Sequence, residues 1–382
     1  MVNVLSALGS IDRVKVLCKA REVGTIAMAD GGCMAFQYSD SWLTSGFSIS
    51  PFSLPLERRV FVAKPHPLDG VFGVFADSLP DGWGRLLVDR MLAENGLDPN
   101  RLSPLARLSI VGATGAGALE YVPETDLGHR FESVDLDRLC EECGRILSAE
   151  YSDDLDRLFA LGGSSGGARP KILTTIDGED WIVKFPSSHD SKDIGKQEYE
   201  LSLLAKECGI PFPESRLFES KTCSGYFGVK RFDRTAGVEG PQKVFMASAG
   251  ALLETTHRIP NLSYEMLFRL TAALTGSMRD TERLYRLMCF NVLVGNRDDH
   301  SKNFSFLYGD QAGWTLSPAY DITVNSGMYG EHATAVNGKG KLISAEDLVE
   351  VGVSAGLSPT KARRIEKDLR AAVEASGYLA LS

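Results

Sequence analysis

The stretch Asn296-Arg297-Asp298-Asp299-His300-Ser301-Lys302-Asn303, with Ser317-Pro318-Ala319-Tyr320-Asp321-Ile322 after it, decides how this chain is read. It presents a carboxylate, an amide five residues on, and a further carboxylate downstream. A hydroxyl nucleophile needs a proton acceptor beside it, and a triphosphate needs hard oxygen ligands on octahedral Mg²⁺. Protein kinases set a base Asp and a metal-binding Asn at this spacing on one loop, with a later Asp on the metal. The pattern therefore predicts phosphoryl transfer, with Asp298 as base, Asn303 and Asp321 as Mg²⁺ ligands, and His300 and Lys302 beside the phosphates. Asp299 is a rival carboxylate, and the spacing favours Asp298. Leu284 to Val294 is apolar almost all round, which predicts a buried helix anchoring the start of the loop.

Upstream, Gly162 to Lys171 is a Gly/Ser run leading into a predicted strand, Ile172 to Ile176. Glycines there let backbone N–H groups approach phosphates, although a flexible connection has the same composition and no GK[ST] follows. Gly112 to Gly117 reads as a plain turn into a strand, Ala118 to Val122. Asp177-Gly178 signals a hairpin, and the return strand Trp181 to Phe185 puts Lys184 on the face of Ile182. On a predicted helix from Lys196 to Cys208, Glu198 falls with Leu201, Leu204, Ala205 and Cys208 on the inward stripe. Opposite charges driven inward are costly unless they meet, so Lys184 and Glu198 are expected to pair. The alternative is a lysine that snorkels and a solvated glutamate.

Around these motifs the chain falls into three expected segments: a β-rich unit at 1–125, a segment at 126–235 that begins with charged helical sequence, Asp135 to Ser148, and turns β-rich from Gly162 to Gly167 on, and a mainly helical one at 236–382. Short alternating runs at Val14 to Leu17, Met34 to Gln37 and Arg59 to Ala63 mark strands. Trp83, Leu86, Leu87 and Met91 mark a helix, the Gly/Pro stretch 236–241 a seam, and Ser358-Pro359 the start of a last helix. With 382 residues, 43% hydrophobic, the chain can bury large cores. No apolar run is long enough for a membrane span, and Met1 to Arg21 lacks the pattern of a signal peptide. Seven scattered cysteines suit a reduced compartment, so a cytoplasmic protein without membrane association is expected. A net charge of -9 argues against gripping nucleic acid by global charge; Lys361, Arg363, Arg364, Lys367 and Arg370 read as a solvated helix face.

Together, Phe75-Ala76-Asp77-Ser78-Leu79-Pro80-Asp81-Gly82, Ser165 to Lys171, Val229 to Arg234, Asp298 to Phe304 and Tyr320-Asp321-Ile322 resemble the HipA family of serine/threonine kinases, toxins of bacterial type II toxin-antitoxin modules. The resemblance runs over nearly the whole length. It implies an α+β, two-lobed protein-kinase-like fold with an added N-terminal β-rich subdomain, using ATP and Mg²⁺. By motif it implies Gly166, Gly167, Ala168, Arg169, Pro170 and Lys171 as the ATP loop and Lys184 as the ATP-phosphate lysine. It likewise implies Lys230, Arg231 and Phe232 as the adenine-side hinge, and His300, Ser301, Lys302 and Asn303 as further nucleotide contacts. The family also implies an inactivating autophosphorylation serine just before the ATP loop, for which Ser164 is the best match, with Ser165 beside it. Implied partners are an aminoacyl-tRNA synthetase as substrate and a HipB-like DNA-binding antitoxin, with DNA met only indirectly. Two residues depart from the pattern: Lys230 stands where a family member has an acidic hinge residue, and Asp299 where Gly is frequent. A small-molecule kinase on the same scaffold is the enzyme alternative. A nucleotide- or antitoxin-binding module without turnover is the other, and retention of the base and both metal residues argues against it.

Overall fold

The structure, a computed structural model, describes residue 8 and residues 11–125, 135–152, 154–237 and 241–380. The expected boundary at 125/126 opens onto residues outside this set, and the expected seam at 236–241 includes three more of them. The chain folds as two compact units, one drawn from Met1–Lys196, Arg216–Ala247 and Ala251–Thr255, the other from Gln197–Ser215, Ser248–Gly250 and Thr256–Ser382.

The first unit contains two larger sheets and a short two-stranded one, Arg234–Thr235 with Gln242–Lys243. In one, strands β1 (Arg13–Cys18), β2 (Arg21–Met28), β3 (Met34–Tyr38), β4 (Val60–Val62) and β5 (Leu119–Val122) lie in the order β4-β3-β2-β1-β5. All four neighbouring pairs are antiparallel. Period-two alternation buries Val14, Val16 and Cys18 while Arg13 and Lys15 stay exposed. Gly24 lies where a Cβ would stand 2.2 Å from the Gln37 carbonyl, so β2 and β3 close up only around glycine. The second sheet, order β6-β7-β9-β8, comprises β6 (Lys171–Ile176), β7 (Glu179–Lys184), β8 (Ser215–Phe218) and β9 (Tyr226–Lys230). Helices α1 (Gly82–Glu94), α2 (Pro104–Val111), α3 (Leu136–Leu147) and α4 (Leu155–Gly162) belong to the same unit, beside the short helices Asp40–Ser45 and Gly73–Ala76. Trp83 and Leu87 of α1, Leu139 of α3, Leu158 of α4 and Val183 and Tyr226 of the second sheet share one core. Each such side chain, fully buried, contributes about 1.5–3 kcal/mol. That core fixes α1 against the sheet carrying Lys171 and Lys184.

The second unit is mainly helical. Its helices are α5 (Ile194–Glu207, whose first residues belong to the first unit), α6 (Tyr264–Thr275), α7 (Met278–Val294), α8 (Ala345–Ser354) and α9 (Pro359–Ser376). A hairpin of β10 (Ser305–Gly309) and β11 (Gly313–Leu316) follows the loop after α7. Serine caps start four of the helices: Ser263 on α6, Ser277 on α7, Ser344 on α8 and Ser358 on α9. Gly276 and Gly295 end α6 and α7 in the left-handed region that glycine adopts without strain. Leu284, Tyr285, Met288, Phe290 and Val294 of α7 are buried, as the apolar run predicts. Gly352 of α8 meets the Tyr285 ring, where a Cβ would fall 2.5 Å from a ring carbon. On α9, Lys361 pairs with Glu282, Arg363 with Glu346 and Arg370 with Glu366, so the basic cluster is partly neutralised. Among the described residues no helix is long and apolar enough to cross a membrane.

Candidate active site

The loop after α7 is held from beneath by buried polar groups. Asn296 donates its N–H to the Asn291 carbonyl at 2.9 Å and its Nδ2 to Asn291 Oδ1 at 3.0 Å. Asn291 Nδ2 donates to the Tyr264 hydroxyl at 3.0 Å, which donates to Asp299 Oδ2 at 2.8 Å. Thr334 donates its N–H to Asp299 Oδ1 at 3.1 Å and its hydroxyl to the Asp299 carbonyl, and His332 Nδ1 faces Asp299 Oδ2 at 3.3 Å. Asp299 is 0% exposed. Burial, and then the Asp299 charge, push the Tyr264 hydroxyl well above its ordinary range. The two neighbouring carboxylates are thus separated by environment: Asp299 is sealed inside as an acceptor, and Asp298 is exposed.

Asn303 Nδ2 donates to the Asp298 carbonyl at 2.7 Å. The amide nitrogen is spent on the loop, which leaves its oxygen, the end a hard cation takes, pointing the other way. His300 accepts the Lys302 N–H on Nδ1 at 3.3 Å, and its ring lies 5.2 Å from that of His257. Ser301 is buried, with its hydroxyl 2.8 Å from the Cβ position of Gly250. The Tyr320 hydroxyl donates to the Lys302 carbonyl at 2.6 Å, tying the segment before Asp321 to the loop after α7. Asp321 itself is half-buried with φ +55, a strained backbone for a non-glycine residue and one that recurs at functional sites. Among the described residues no cluster of three or more His, Cys, Asp or Glu side chains could hold a metal. Mg²⁺ asks for less, one or two protein oxygens together with substrate phosphates, which Asn303 and Asp321 could supply. Glu198 on α5 is 2% exposed, buried as its place on the inward stripe predicts.

In the first unit the Gly loop is bound to the start of α1. Gly167 donates its N–H to Asp81 Oδ1, and its carbonyl accepts the Trp83 N–H at 2.9 Å. Trp83 Nε1 donates to the Lys171 carbonyl at 3.1 Å. Arg169 makes a two-point contact with Asp190, whose carboxylate also accepts the Ser187 N–H and hydroxyl. Lys171 donates to the Gly166 carbonyl at 2.6 Å. Lys171 and Lys184 stand directly opposite each other across β6 and β7, and both are buried. Lys184 Nζ also lies 5.6 Å from the centre of the Phe227 ring.

Of the two serines, Ser165 is buried with its hydroxyl donating to the Gly162 carbonyl at 2.6 Å, whereas Ser164 is only half-buried. At the expected hinge, Lys230 pairs with Glu179, which neutralises locally the charge that departs from the family pattern. The Arg231 guanidinium is committed to Asp233 and to the Gly115 carbonyl, and its N–H to the Asp180 carbonyl. Burial alone would raise the Asp233 carboxyl; the hydrogen bond from Arg231 and the charges of Arg231 and Arg234 outweigh it and hold it below its ordinary range. Gly112 to Gly117 is therefore more than the plain turn expected, because the Gly117 N–H and Gly115 carbonyl bind this cluster.

A family model described as the HipA-like C-terminal domain matches residues 163–376, and one described as the HipA N-terminal domain matches residues 14–122. The chain belongs to the HipA family. Among HipA relatives, the Sinorhizobium fredii protein Y4dM, named as a candidate kinase, is 30% identical over 303 residues, covering 74% of this chain and 71% of that protein. The serine/threonine-protein kinase toxin HipA of Shewanella oneidensis is 24% identical over 343 residues, covering 79% of this chain and 72% of its own. The solved Shewanella oneidensis HipA, in a complex with HipB and operator DNA, matches with a TM-score of 0.70 at 19% identity over 97% of this chain and 92% of that one. The fold is thus the α+β, protein-kinase-like HipA fold with a sheet-rich N-terminal region, as the sequence implies. The HipA motifs quoted from the sequence did not single out Tyr264, Thr334 and His332 around Asp299, or give Asp81 a part at the Gly loop. The Asp81-Gly82-Trp83-Gly84 run, with two glycines flanking a tryptophan, was the one visible signal for the latter.

Proposed function

We propose that this chain is an ATP- and Mg²⁺-dependent serine/threonine protein kinase of the HipA kind. The observation that carries this is the division of labour in the Asp298-Asp299 pair: a carboxylate locked inside by Tyr264 and Thr334 fixes the loop, and its neighbour faces solvent with Asn303 bound to its backbone. In this reading Asp298 accepts the proton of a substrate hydroxyl as the oxygen attacks the γ-phosphorus, and the bond from that phosphorus to the β,γ-bridging oxygen breaks to release ADP. Lys184 and Lys171 draw the phosphate charge, and Glu198 orients Lys184. The Gly loop from Gly166 to Lys171 and the backbone of the 230–232 hinge hold the nucleotide, with His300 and Lys302 beside the phosphates. Mg²⁺, held by Asn303 and Asp321, would neutralise charge developing on the phosphates.

The substrate we infer is a protein hydroxyl, with an aminoacyl-tRNA synthetase as the target and inhibition of translation as the outcome. Regulation would come from autophosphorylation at Ser164 and from a HipB-like DNA-binding antitoxin, all in the cytoplasm. A solved relative assembled with HipB and operator DNA supports the antitoxin part. Quantitative phosphoproteomics after controlled expression of the parent and of Asp298→Asn tests the reading. Serine or threonine phosphopeptides from a synthetase should rise only with the parent. Identical phosphoproteomes in the two would refute it.

A further inference from the structure

Asp81 sits at the N-cap of α1, where aspartate ordinarily accepts an N–H of its own helix, yet its side chain makes no such bond. It accepts the Gly167 N–H instead, 86 residues away along the chain. The Trp83 N–H donates back to the Gly167 carbonyl at 2.9 Å, so both backbone groups of Gly167 are taken by the start of α1. The approach is close enough to require glycine on the helix side. A Cβ on Gly82 would lie 2.4 Å from the Gly167 carbonyl oxygen, and one on Gly84 would lie 2.1 Å from the Ser165 carbonyl oxygen. Gly167 has φ +84, a conformation that needs holding in place because glycine has more backbone freedom to lose than any other residue.

We propose that Asp81 is a positioning residue of the nucleotide site: by fixing Gly167 it presets the Gly loop that receives the triphosphate of ATP. The inference rests on the ATP-loop role of Gly166 to Lys171. In this role Asp81 acts through Gly167 and not on a phosphate directly. Its carboxylate spends the Gly167 N–H, so the phosphate contacts of the loop fall to the neighbouring backbone and to Lys171. The HipA N-terminal region thereby takes a part in nucleotide binding.

The test compares Asp81→Ala, Asp81→Ser and Asp81→Asn with the parent, using calorimetric Kd for Mg-ATP and autophosphorylation rate at saturating γ-labelled ATP. Serine is a good N-cap and keeps α1 started if the alanine variant folds poorly, but its shorter side chain does not reach Gly167. Alanine and serine should weaken Mg-ATP roughly tenfold, the loss of one charge-assisted hydrogen bond, with the rate at saturation within about twofold of the parent. Asparagine keeps an acceptor oxygen and should restore affinity to within about threefold. Unchanged or tighter Mg-ATP binding in the alanine and serine variants would overturn the proposal, the latter meaning that the carboxylate competes with phosphate. Equal collapse of affinity, rate and melting temperature in all three, asparagine included, would reduce Asp81 to a structural role and overturn it too. A parent chain that binds no Mg-ATP would instead remove the ATP-loop reading, and this inference with it.

Discussion

Replacing Asp299 by alanine should unfold the second unit far more readily than replacing Asp298, although the two are adjacent. Asp299 is 0% exposed and accepts from the Tyr264 hydroxyl and the Thr334 N–H, both buried with it. Removing the acceptor strands those two donors at about 1–3 kcal/mol each, so a total loss of roughly 3 kcal/mol is a conservative figure. For a folding unit of this size that corresponds to a fall in Tm of roughly 6–12 °C. Asp298 is exposed, and Asp298→Asn should move Tm by no more than about 2 °C. Differential scanning calorimetry without nucleotide reads both. A melting temperature for Asp299→Ala within a degree of the parent, or an equally large fall for Asp298→Asn, would refute the assignment of one carboxylate to the scaffold and the other to chemistry.

Three further outcomes follow from other parts of the molecule. Asp321→Ala should shrink the thermal stabilisation given by Mg-ATP, because a metal-bound carboxylate acts in the ground state as well; an undiminished shift removes Asp321 from the metal site. Ser164 should carry phosphate in the parent and none in Asp298→Asn by peptide mass spectrometry, while buried Ser165 stays unmodified; equal occupancy in the two would mean that another kinase acts on the loop. The Asp233 carboxyl is held below its ordinary range, so its contribution is present above the unfolded-state value of about 4 and is lost as pH falls through the lower folded-state value. Asp233→Asn should therefore lie below the parent in stability at pH 7 and converge with it in acid, and a gap that persists unchanged into acid would refute this.

Local patterns carried much of this architecture. The spacing of Asp298 and Asn303, the apolar run that became α7, and the helical phase that buries Glu198 could be read because each is set within a few turns of chain. Strand β2 was missed because its hairpin turns at Lys19-Ala20, both at positive φ, with none of the Gly, Asn or Asp residues that usually mark such turns. The clamp on Asp299 from Thr334, the seat of Gly167 on Asp81, and the Arg231-Asp233 cluster on the Gly115–Gly117 turn are hydrogen bonds between distant segments. Such pairs have no period, and nothing in either segment alone says which distant partner it meets.

The central claim, that Asp298 serves phosphoryl transfer to a protein hydroxyl, is tested most directly by incubating purified parent and Asp298→Asn with γ-labelled Mg-ATP and following label in protein serine and threonine. The parent should incorporate label, and Asp298→Asn should lose transfer by at least about a hundredfold, the low end of what a general base contributes, while still binding Mg-ATP. Equal incorporation by the two proteins, or none by a parent that binds Mg-ATP, would contradict the claim.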